Sequence, residues 1–471
     1  MVFSSSLFIY IFLPSFLILY YISPNRLKNI TLLLFSLIFY AWGAPAFIFL
    51  VVGSLIVNYY IVSLIIKSPV NKNLFLWLSI AINLGLLAYF KYANFFIENI
   101  NQLLLSFGFK RIEWTRITLP IGISFFTFQS LTYTIDVYRG VHAPLKRLHD
   151  FLLYILMFPQ LIAGPIVRFH TIADQIENRR NRETSENKVL GFYQFVIGLS
   201  KKVLLANTLG VEVDKVFNHL DIIGTMDAWI GILAYTFQIY FDFSGYSDMA
   251  IGLGRMIGFS FPENFNNPYI SQSITEFWRR WHITLGNWMK DYLYIPLGGN
   301  RVKSKTRLYV NLSIVFLISG LWHGASWNFV IWGAYHGFFL ILDRIFLIRL
   351  LNHTHRYLRV IITFMIVLIG WVFFRIEDFS DSMIVLKKLF SLNPAGIGKH
   401  SNEFYVILVL SFLFSFCTLT KTGLKLESIF YFRNQGKYTY SLMLVPIIIL
   451  FVLSMAYITG FGFNPFIYFR F

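Results

Sequence analysis

The amino-acid sequence predicts an all-α integral membrane protein that folds as a single polytopic domain over residues 1–471. Hydrophobic residues make up 56% of the chain and charged residues only 13%, and the mean hydropathy is +0.62. A soluble domain of this length cannot bury so much apolar surface. The chain also alternates between long apolar runs and short polar segments. We therefore expect about eleven full spans together with re-entrant or interfacial helices.

The apolar runs occur in order at residues 7–22, 30–42, 47–66, 74–90, 117–135, 151–167, 189–209, 226–259, 309–321, 326–346, 357–374, 404–419 and 438–459. A full span needs roughly 20 residues, and several of these runs are shorter. Pro120, Pro159, Gly164 and Gly320 interrupt others. Broken helices at membrane depth persist only where they face protein or a water-filled cavity. The interruptions therefore predict an internal chamber.

Positive charge lies mainly between the apolar runs. Lysine and arginine number 40 against 23 acidic residues, which gives a net charge of +17. The basic residues cluster at 26–28, 67–72, 139–147, 179–188 and 279–307. This distribution is typical of cytoplasmic loops, and the first cluster follows the first apolar run, so we expect the N-terminus outside. The lipid bilayer, and not nucleic acid, is the partner that this charge pattern indicates.

The composition argues against a metal site or an internal disulfide. Cys417 is the one cysteine, which excludes a disulfide within the chain and a zinc framework built on cysteines. The histidines are too isolated in the sequence to indicate a zinc or haem site. We expect no metal ion and no bound cofactor.

The motif Gly320-Leu321-Trp322-His323-Gly324 places an imidazole deep in an apolar run. Ionisable groups at membrane depth are energetically costly and suggest function. Histidine also exchanges protons readily near neutral pH. The two glycines permit a helix break or a close approach of another backbone. His323 is therefore a candidate catalytic residue, and a buried structural histidine is the competing interpretation.

A second histidine lies in the segment 276–292, which is predicted to form one amphipathic helix. Its aromatic and apolar residues recur at helical spacing, and His282 falls on their side. A buried imidazole needs a hydrogen-bond partner, so the alternatives are a structural role against a carbonyl or a role beside His323. His336, in the next apolar run, is predicted to be structural or to support the site.

Two carboxylates interrupt the apolar run 226–259. Asp242 and Asp248 need partners there, and Arg255 or the pair Arg279 and Arg280 are candidates. A hydrogen-bond network that locks the helix is favoured over direct catalysis. Residues 158–168 contain Pro and Gly within an apolar sequence, which predicts a re-entrant or kinked element.

Long motifs in a fixed order resemble the membrane-bound O-acyltransferase family, and within it the alginate O-acetyltransferase branch. The resemblance runs essentially from end to end and rests on the opening Met1-Val-Phe-Ser-Ser, Phe39-Tyr-Ala-Trp-Gly, Pro120-Ile-Gly-Ile-Ser-Phe-Phe-Thr-Phe-Gln-Ser, Phe158-Pro-Gln-Leu-Ile-Ala-Gly-Pro-Ile, Phe241-Asp-Phe-Ser-Gly-Tyr-Ser-Asp-Met-Ala, Phe277-Trp-Arg-Arg-Trp-His-Ile-Thr-Leu, Trp322-His-Gly and the closing Pro465-Phe-Ile-Tyr-Phe-Arg-Phe.

The resemblance implies that His323 takes the position of the family's essential histidine and His282 that of its second polar position. It implies helices around a central tunnel that crosses a bacterial inner membrane. An acyl thioester, with acetyl-CoA as the expected donor, would enter from the cytoplasm. The acceptor would be an extracytoplasmic polysaccharide or an extracytoplasmic acetyltransferase partner.

These implications give a mechanism to be tested. His323 acts as general base toward the acceptor hydroxyl. His282, a nearby tryptophan such as Trp322, or a backbone N–H steadies the oxyanion. Arg279, Arg280 and Lys290 are candidate contacts for the anionic groups of the donor.

Two alternatives to acetyl transfer stay open. One is D-alanyl or other acyl transfer from a carrier protein to teichoic acid. The other is transport of polysaccharide intermediates, in which the intramembrane aspartates and His323 would bind the transported molecule or relay protons.

Overall fold

A computed structural model describes residues 1–162, 164–394, 396, 398–431, 437–460, 462 and 467, with the side chains of 437–439 left aside. The chain forms two compact units. Unit 1 comprises Met1–Thr184 and Ile257–Phe261, and unit 2 comprises Ser185–Met256 and Pro262–Phe471. That residues 1–471 form one domain around a central tunnel stays a prediction.

The described residues of unit 1 form nine α-helices: α1 Leu13–Ile22, α2 Lys28–Gly43, α3 Ile48–Lys67, α4 Lys72–Leu87, α5 Ala93–Ser106, α6 Ile123–Tyr138, α7 Leu148–Leu156, α8 Phe158–Leu161 and α9 Phe169–Glu177. Short π-helical turns cover Phe8–Phe12 and Ala88–Tyr92, and 3-10 turns cover Pro45–Phe47, Pro69–Asn71 and Arg180–Arg182. The chain bends between α7 and α8 at Met157, so the predicted kink near 158–168 is present.

Unit 2 contains the α-helices α10 Ser185–Ser200, α11 Asn207–Phe217, α12 Thr225–Met256, α13 Ile274–Arg280, α14 Ile283–Met289, α15 Lys305–His323, α16 Trp327–Leu342, α17 Ile348–Asn352, α18 Arg356–Arg375, α19 Phe379–Leu389, α20 Asn402–Phe416, α21 Lys421–Phe430 and α22 Lys437–Gly460. Turns of π-helix cover Lys201–Ala206, Lys290–Tyr294 and Asp343–Leu347, and 3-10 turns cover Pro268–Ile270 and Cys417–Leu419.

The all-α integral membrane class is confirmed. Within the described residues, seven helical segments are long and apolar enough to cross a membrane: Pro45–Lys67, Pro69–Ser106, Ser185–Phe217, Trp327–Asn352, Arg356–Arg375, Asn402–Leu419 and Tyr440–Gly460. Two shorter apolar helices, Phe8–Ile22 and Lys28–Gly43, accompany them. The expected number of about eleven spans included apolar runs that fold as shorter or more polar helices. One of them is α6, which has 16 residues.

Glycines set the closest helix contacts of unit 2. A Cβ added at Gly198 would lie 2.4 Å from the carbonyl oxygen of Gly245, so α10 and α12 touch backbone to backbone. The same holds for α15 and α16, where a Cβ at Gly320 would lie 2.2 Å from the carbonyl oxygen of Phe329. Inside a membrane the hydrophobic effect does not drive helices together, so small residues at such crossings stabilise the contact by allowing close packing.

Gly320→Ala is expected to destabilise the protein by at least about 1–3 kcal/mol, because the new methyl group overlaps backbone that has no room to move. The measurement is the thermal midpoint of the protein in detergent. Gly53→Ala is the matched control, because a Cβ at Gly53 in α3 meets nothing within 4 Å. Equal midpoints for the two variants would contradict the close α15–α16 contact.

Candidate functional site

Two buried imidazoles converge in unit 2. The ring centroids of His282 and His323 lie 6.5 Å apart, with the ring planes inclined by 61°. The side chains are 2% and 3% exposed. The structure therefore brings together the two histidines that the sequence singled out.

His323 is the last residue of α15, and the helix ends immediately after it. Gly324 takes an extended backbone conformation, and its N–H still donates to the carbonyl of Gly320 at 3.3 Å. A Cβ at Gly324 would lie 2.1 Å from the ring of Phe329, so only glycine lets the chain turn here. The predicted helix break and close backbone approach at these two glycines are both present.

Aromatic rings surround the His323 imidazole. Its centroid lies 5.0 Å from Trp322, 5.1 Å from Trp332 and 5.1 Å from Phe374. Trp322 also faces His282 at 6.0 Å. Edge-to-face packing of this kind fixes the orientation of a ring and excludes bulk water from it.

His282 lies at a break in the predicted amphipathic helix. The prediction of one continuous helix over 276–292 was wrong, because α13 ends at Arg280 and α14 begins at Ile283. His282 between them has φ 45° and ψ 52°, which is the left-handed region. A non-glycine residue there costs of order 1–3 kcal/mol and persists only when its surroundings hold it.

Asn264 holds this break in place. Its backbone carbonyl accepts the N–H of Ile283 at 2.9 Å. Its side-chain Oδ1 accepts the N–H of Thr284 at 3.2 Å and the Thr284 hydroxyl at 2.8 Å, and lies 3.1 Å from Nδ1 of His282. Its Nδ2 donates to the hydroxyl of Ser247 at 3.1 Å. Asn264 is 1% exposed, and the sequence analysis missed it.

Tryptophans form the wall behind the two histidines. Trp281 and Trp371 pack at 4.9 Å, and Trp278 lies 5.5 Å from Trp332. Among the described residues, no hydrogen-bond acceptor reaches the buried indole N–H of Trp278 or of Trp332.

His336 sits inside this aromatic wall and not beside the two converging imidazoles. It is fully buried, with its ring 5.0 Å from Trp278 and 5.1 Å from Trp332. Gly370 makes room for it, because a Cβ there would lie 2.7 Å from Nε2 of His336. That His336 is structural or supports the site of His282 and His323 stays a prediction.

The three candidate donor-binding cations differ in their surroundings. Arg280 forms an ion pair with Glu276 at 2.9 Å and donates to the carbonyl of Asn266 at 3.1 Å, so it already has structural partners. Arg279 and Lys290 are exposed. The nearest carboxylate oxygen to the Lys290 amine is that of Asp291, at 3.8 Å. Arg279 and Lys290 are therefore the two cations that are better placed to meet an anionic ligand.

The aspartates of α12 find lysines and not the arginines that the sequence analysis considered. The Asp242 carboxylate lies 2.7 Å from the amine of Lys202, and both side chains are 2% exposed. Asp248 lies 2.7 Å from Lys201 and accepts a hydrogen bond from Tyr431 at 2.9 Å. These pairs tie α12 to the Lys201–Ala206 turn, which supports the predicted helix-locking role. No group of three or more His, Cys, Asp or Glu side chains among the described residues is placed to hold a metal ion.

Comparison with known proteins shows similarity over the whole chain. The sequence profile of the membrane-bound O-acyltransferase family matches residues 71–377, which include Asn264, His282 and His323. The probable alginate O-acetylase AlgI of Azotobacter vinelandii is 41% identical over 506 residues, covering 100% of both chains. The corresponding protein of Pseudomonas aeruginosa is 48% identical over 394 residues, covering 83% of this chain and 75% of its own. The peptidoglycan O-acetyltransferase of Helicobacter pylori is 37% identical over 525 residues, covering 100% of this chain and 98% of its own.

Proposed function

Because the chain belongs to the membrane-bound O-acyltransferase family, we propose that it transfers acetyl groups from acetyl-CoA to hydroxyls destined for an extracytoplasmic polysaccharide. The protein is a multi-pass membrane acyltransferase. Relatives that match over the full chain are named for O-acetylation of alginate or peptidoglycan, which supports acetyl as the group and a polysaccharide as its destination. Their bacterial sources support a bacterial inner membrane as the location.

The observation that carries the proposal is the pair of buried imidazoles at 6.5 Å. O-acyl transfer needs a base that removes the hydroxyl proton and an environment that keeps water from taking the acyl group. His323 supplies the base, and its ring of Trp322, Trp332 and Phe374 supplies the dry surroundings.

The reaction follows in two balanced stages. As the acceptor oxygen bonds to the thioester carbonyl carbon, its proton passes to an imidazole nitrogen of His323. The tetrahedral intermediate then collapses, the carbon–sulfur bond breaks, and the leaving thiolate takes the proton back from the imidazolium. The products are an ester and free thiol, and His323 is neutral again.

Negative charge develops on the carbonyl oxygen during this step and needs N–H donors. The indole N–H groups of Trp278 and Trp332 are buried donors that have no acceptor among the described residues. Of the two, Trp332 is the one whose ring packs against His323, at 5.1 Å. Donors fixed in a site of low polarity stabilise such charge better than water does.

Two exposed cations are candidate contacts for the acyl donor. Arg279 lies in the last turn of α13, before the break that carries His282, and Lys290 follows the end of α14, and both are exposed. We assign them to the phosphate groups of the donor, because phosphates bind exposed Arg and Lys side chains strongly. The acceptor is either the polymer or a serine of an extracytoplasmic acetyltransferase partner.

Product analysis tests the proposal. Cells that lack the gene are complemented with the wild-type gene or with the empty vector, and the extracytoplasmic glycan is treated with mild base. We expect the wild type to restore ester-linked acetate. Ester-linked alanine in its place would assign the chain to D-alanyl transfer. Changed export of polymer with no change in esters would favour a transporter and overturn the proposal.

A further inference from the structure

We propose that Asn264 is a positioning residue that holds His282 as its Nδ1–H tautomer, so that Nε2 accepts a hydrogen bond from an O–H or N–H group of the bound substrate. This inference rests on the proposed function, since it assigns a role within the same site. It also decides whether Nε2 of His282 donates to the oxyanion or accepts from the substrate, because a neutral imidazole donates from one nitrogen and accepts at the other.

The N–H of Thr284 can only donate, and the Asn264 side-chain atom that it meets at 3.2 Å must therefore be the amide oxygen. The opposite orientation of the amide would place an NH2 group against this N–H. In the observed orientation the NH2 group meets the hydroxyl of Ser247 at 3.1 Å, which can accept.

The same oxygen fixes the histidine. Nδ1 of His282 lies 3.1 Å from Oδ1 of Asn264, and two groups can share a hydrogen bond only if one of them donates. Oδ1 has no hydrogen, so Nδ1 carries it. The ring is 2% exposed, and Asn264 is its one hydrogen-bond partner among the described residues, so burial favours the uncharged form. A neutral ring with its hydrogen on Nδ1 has a lone pair on Nε2.

Within the part of the chain that the structure describes, that lone pair meets no donor, and Nε2 of His282 is buried. A buried acceptor left unsatisfied costs about 1–3 kcal/mol, and exceptions of this kind call for an unseen partner or a functional role. The ring lies beside Trp322 and His323, at the centre of the proposed site. A donor group of the substrate is the partner that this position fits.

Asn264 also holds the main chain that carries the ring. Its carbonyl accepts the N–H of Ile283 at 2.9 Å, directly after the left-handed residue. One residue therefore fixes the backbone, the ring orientation and the tautomer of His282 before substrate binds. The consequence for the mechanism is that neutral His282 cannot donate to the oxyanion, which leaves that role to N–H groups such as that of Trp332.

The first test reads the tautomer directly. The full-length protein is labelled with 15N-histidine, reconstituted in lipid and studied by solid-state NMR, and His282→Asn identifies the signals of His282. Asparagine is chosen because it tolerates left-handed backbone well. We expect a protonated Nδ1 and a bare Nε2, with the Nε2 signal shifting on addition of acetyl-CoA or of acceptor. Separate additions of the two tell which substrate supplies the donor group.

Variants of Asn264 form the second test. Asn264→Leu removes the acceptor, and we expect a mixed tautomer and a kcat lower by about 10- to 100-fold, which is the size of loss caused by removing a hydrogen-bond partner that orients a metal-binding imidazole. Asn264→Asp keeps an acceptor toward both N–H groups and is expected to restore the Nδ1–H form and at least part of kcat. KM for the donor is expected to change little in either variant.

A protonated Nε2 in the wild type, or an Nε2 signal that neither substrate shifts, would overturn the inference. The tautomer is read in the wild-type protein, with His282→Asn used only to assign the signals, and the spectrum needs no acetyl transfer to occur. A wild type that shows the expected tautomer but transfers no acetyl would therefore count against the proposed function and leave the positioning by Asn264 intact.

Discussion

Replacing His323 with glutamine is expected to lower acetyl transfer by at least about 100-fold, the lower range of what a positioned general base contributes. Glutamine is a polar side chain of similar length, so it fills much of the space beside Trp332 and Phe374 while the base is lost. The measurement is ester-linked acetate per unit of protein in the membrane.

His353→Gln is the matched control for this experiment, because His353 is exposed and lies outside the site. It is expected to transfer acetyl as the wild type does. Unchanged transfer in the His323 variant at equal membrane abundance would show that His323 is structural. The role of base would then have to be sought in another group.

Lys202→Met is expected to destabilise the protein by about 3–5 kcal/mol, because it leaves a buried carboxylate without its cation. Lys202 and Asp242 are both 2% exposed, and their charged atoms lie 2.7 Å apart. The carboxylate would keep only hydrogen bonds such as that from the N–H of Ile467 at 3.0 Å. The measurement is the thermal midpoint in detergent together with the amount of folded protein in the membrane.

The double variant Lys202→Met, Asp242→Leu separates charge from packing. Replacing both members of a buried pair by apolar groups is often neutral or stabilising, so we expect it to recover much of the lost stability. If the double variant were as unstable as the single one, packing around Lys202 would explain the loss, and the buried charge would not.

The sequence was a good guide where one local pattern determines the structure. Gly320, His323 and Gly324 lie within a few residues, and their spacing alone indicates a helix end beside a buried imidazole. The apolar runs likewise indicate membrane helices, because a chain in lipid must satisfy its backbone hydrogen bonds within each segment.

The sequence was a poor guide where contacts between distant residues decide the structure. The helical periodicity of 276–292 continues through His282, and nothing local shows the break there. The break depends on hydrogen bonds that Asn264, in a polar loop of ordinary appearance, accepts from Ile283 and Thr284. Local propensity is a weak predictor when tertiary hydrogen bonds of this kind compete with it.

The lysines that pair with the aspartates of α12 illustrate a second reason for error. Lys201 and Lys202 lie within the apolar run 189–209, where long basic side chains usually reach toward an interface. In the structure they pair with Asp248 and Asp242. Which cation meets which carboxylate depends on the register of α10 and α12, and the glycine contact between Gly198 and Gly245 sets that register.

The central claim is that this protein moves an acetyl group from acetyl-CoA to a hydroxyl at the His323 site. The most direct test uses purified protein in proteoliposomes, with acetyl-CoA labelled in the acetyl group, an acceptor glycan, and wild-type and His323→Gln proteins at equal density. We expect base-labile label on the acceptor and equimolar free thiol with the wild type, and neither with the variant. Equal label with both proteins, or thiol release without an ester, would contradict acetyl transfer at the His323 site.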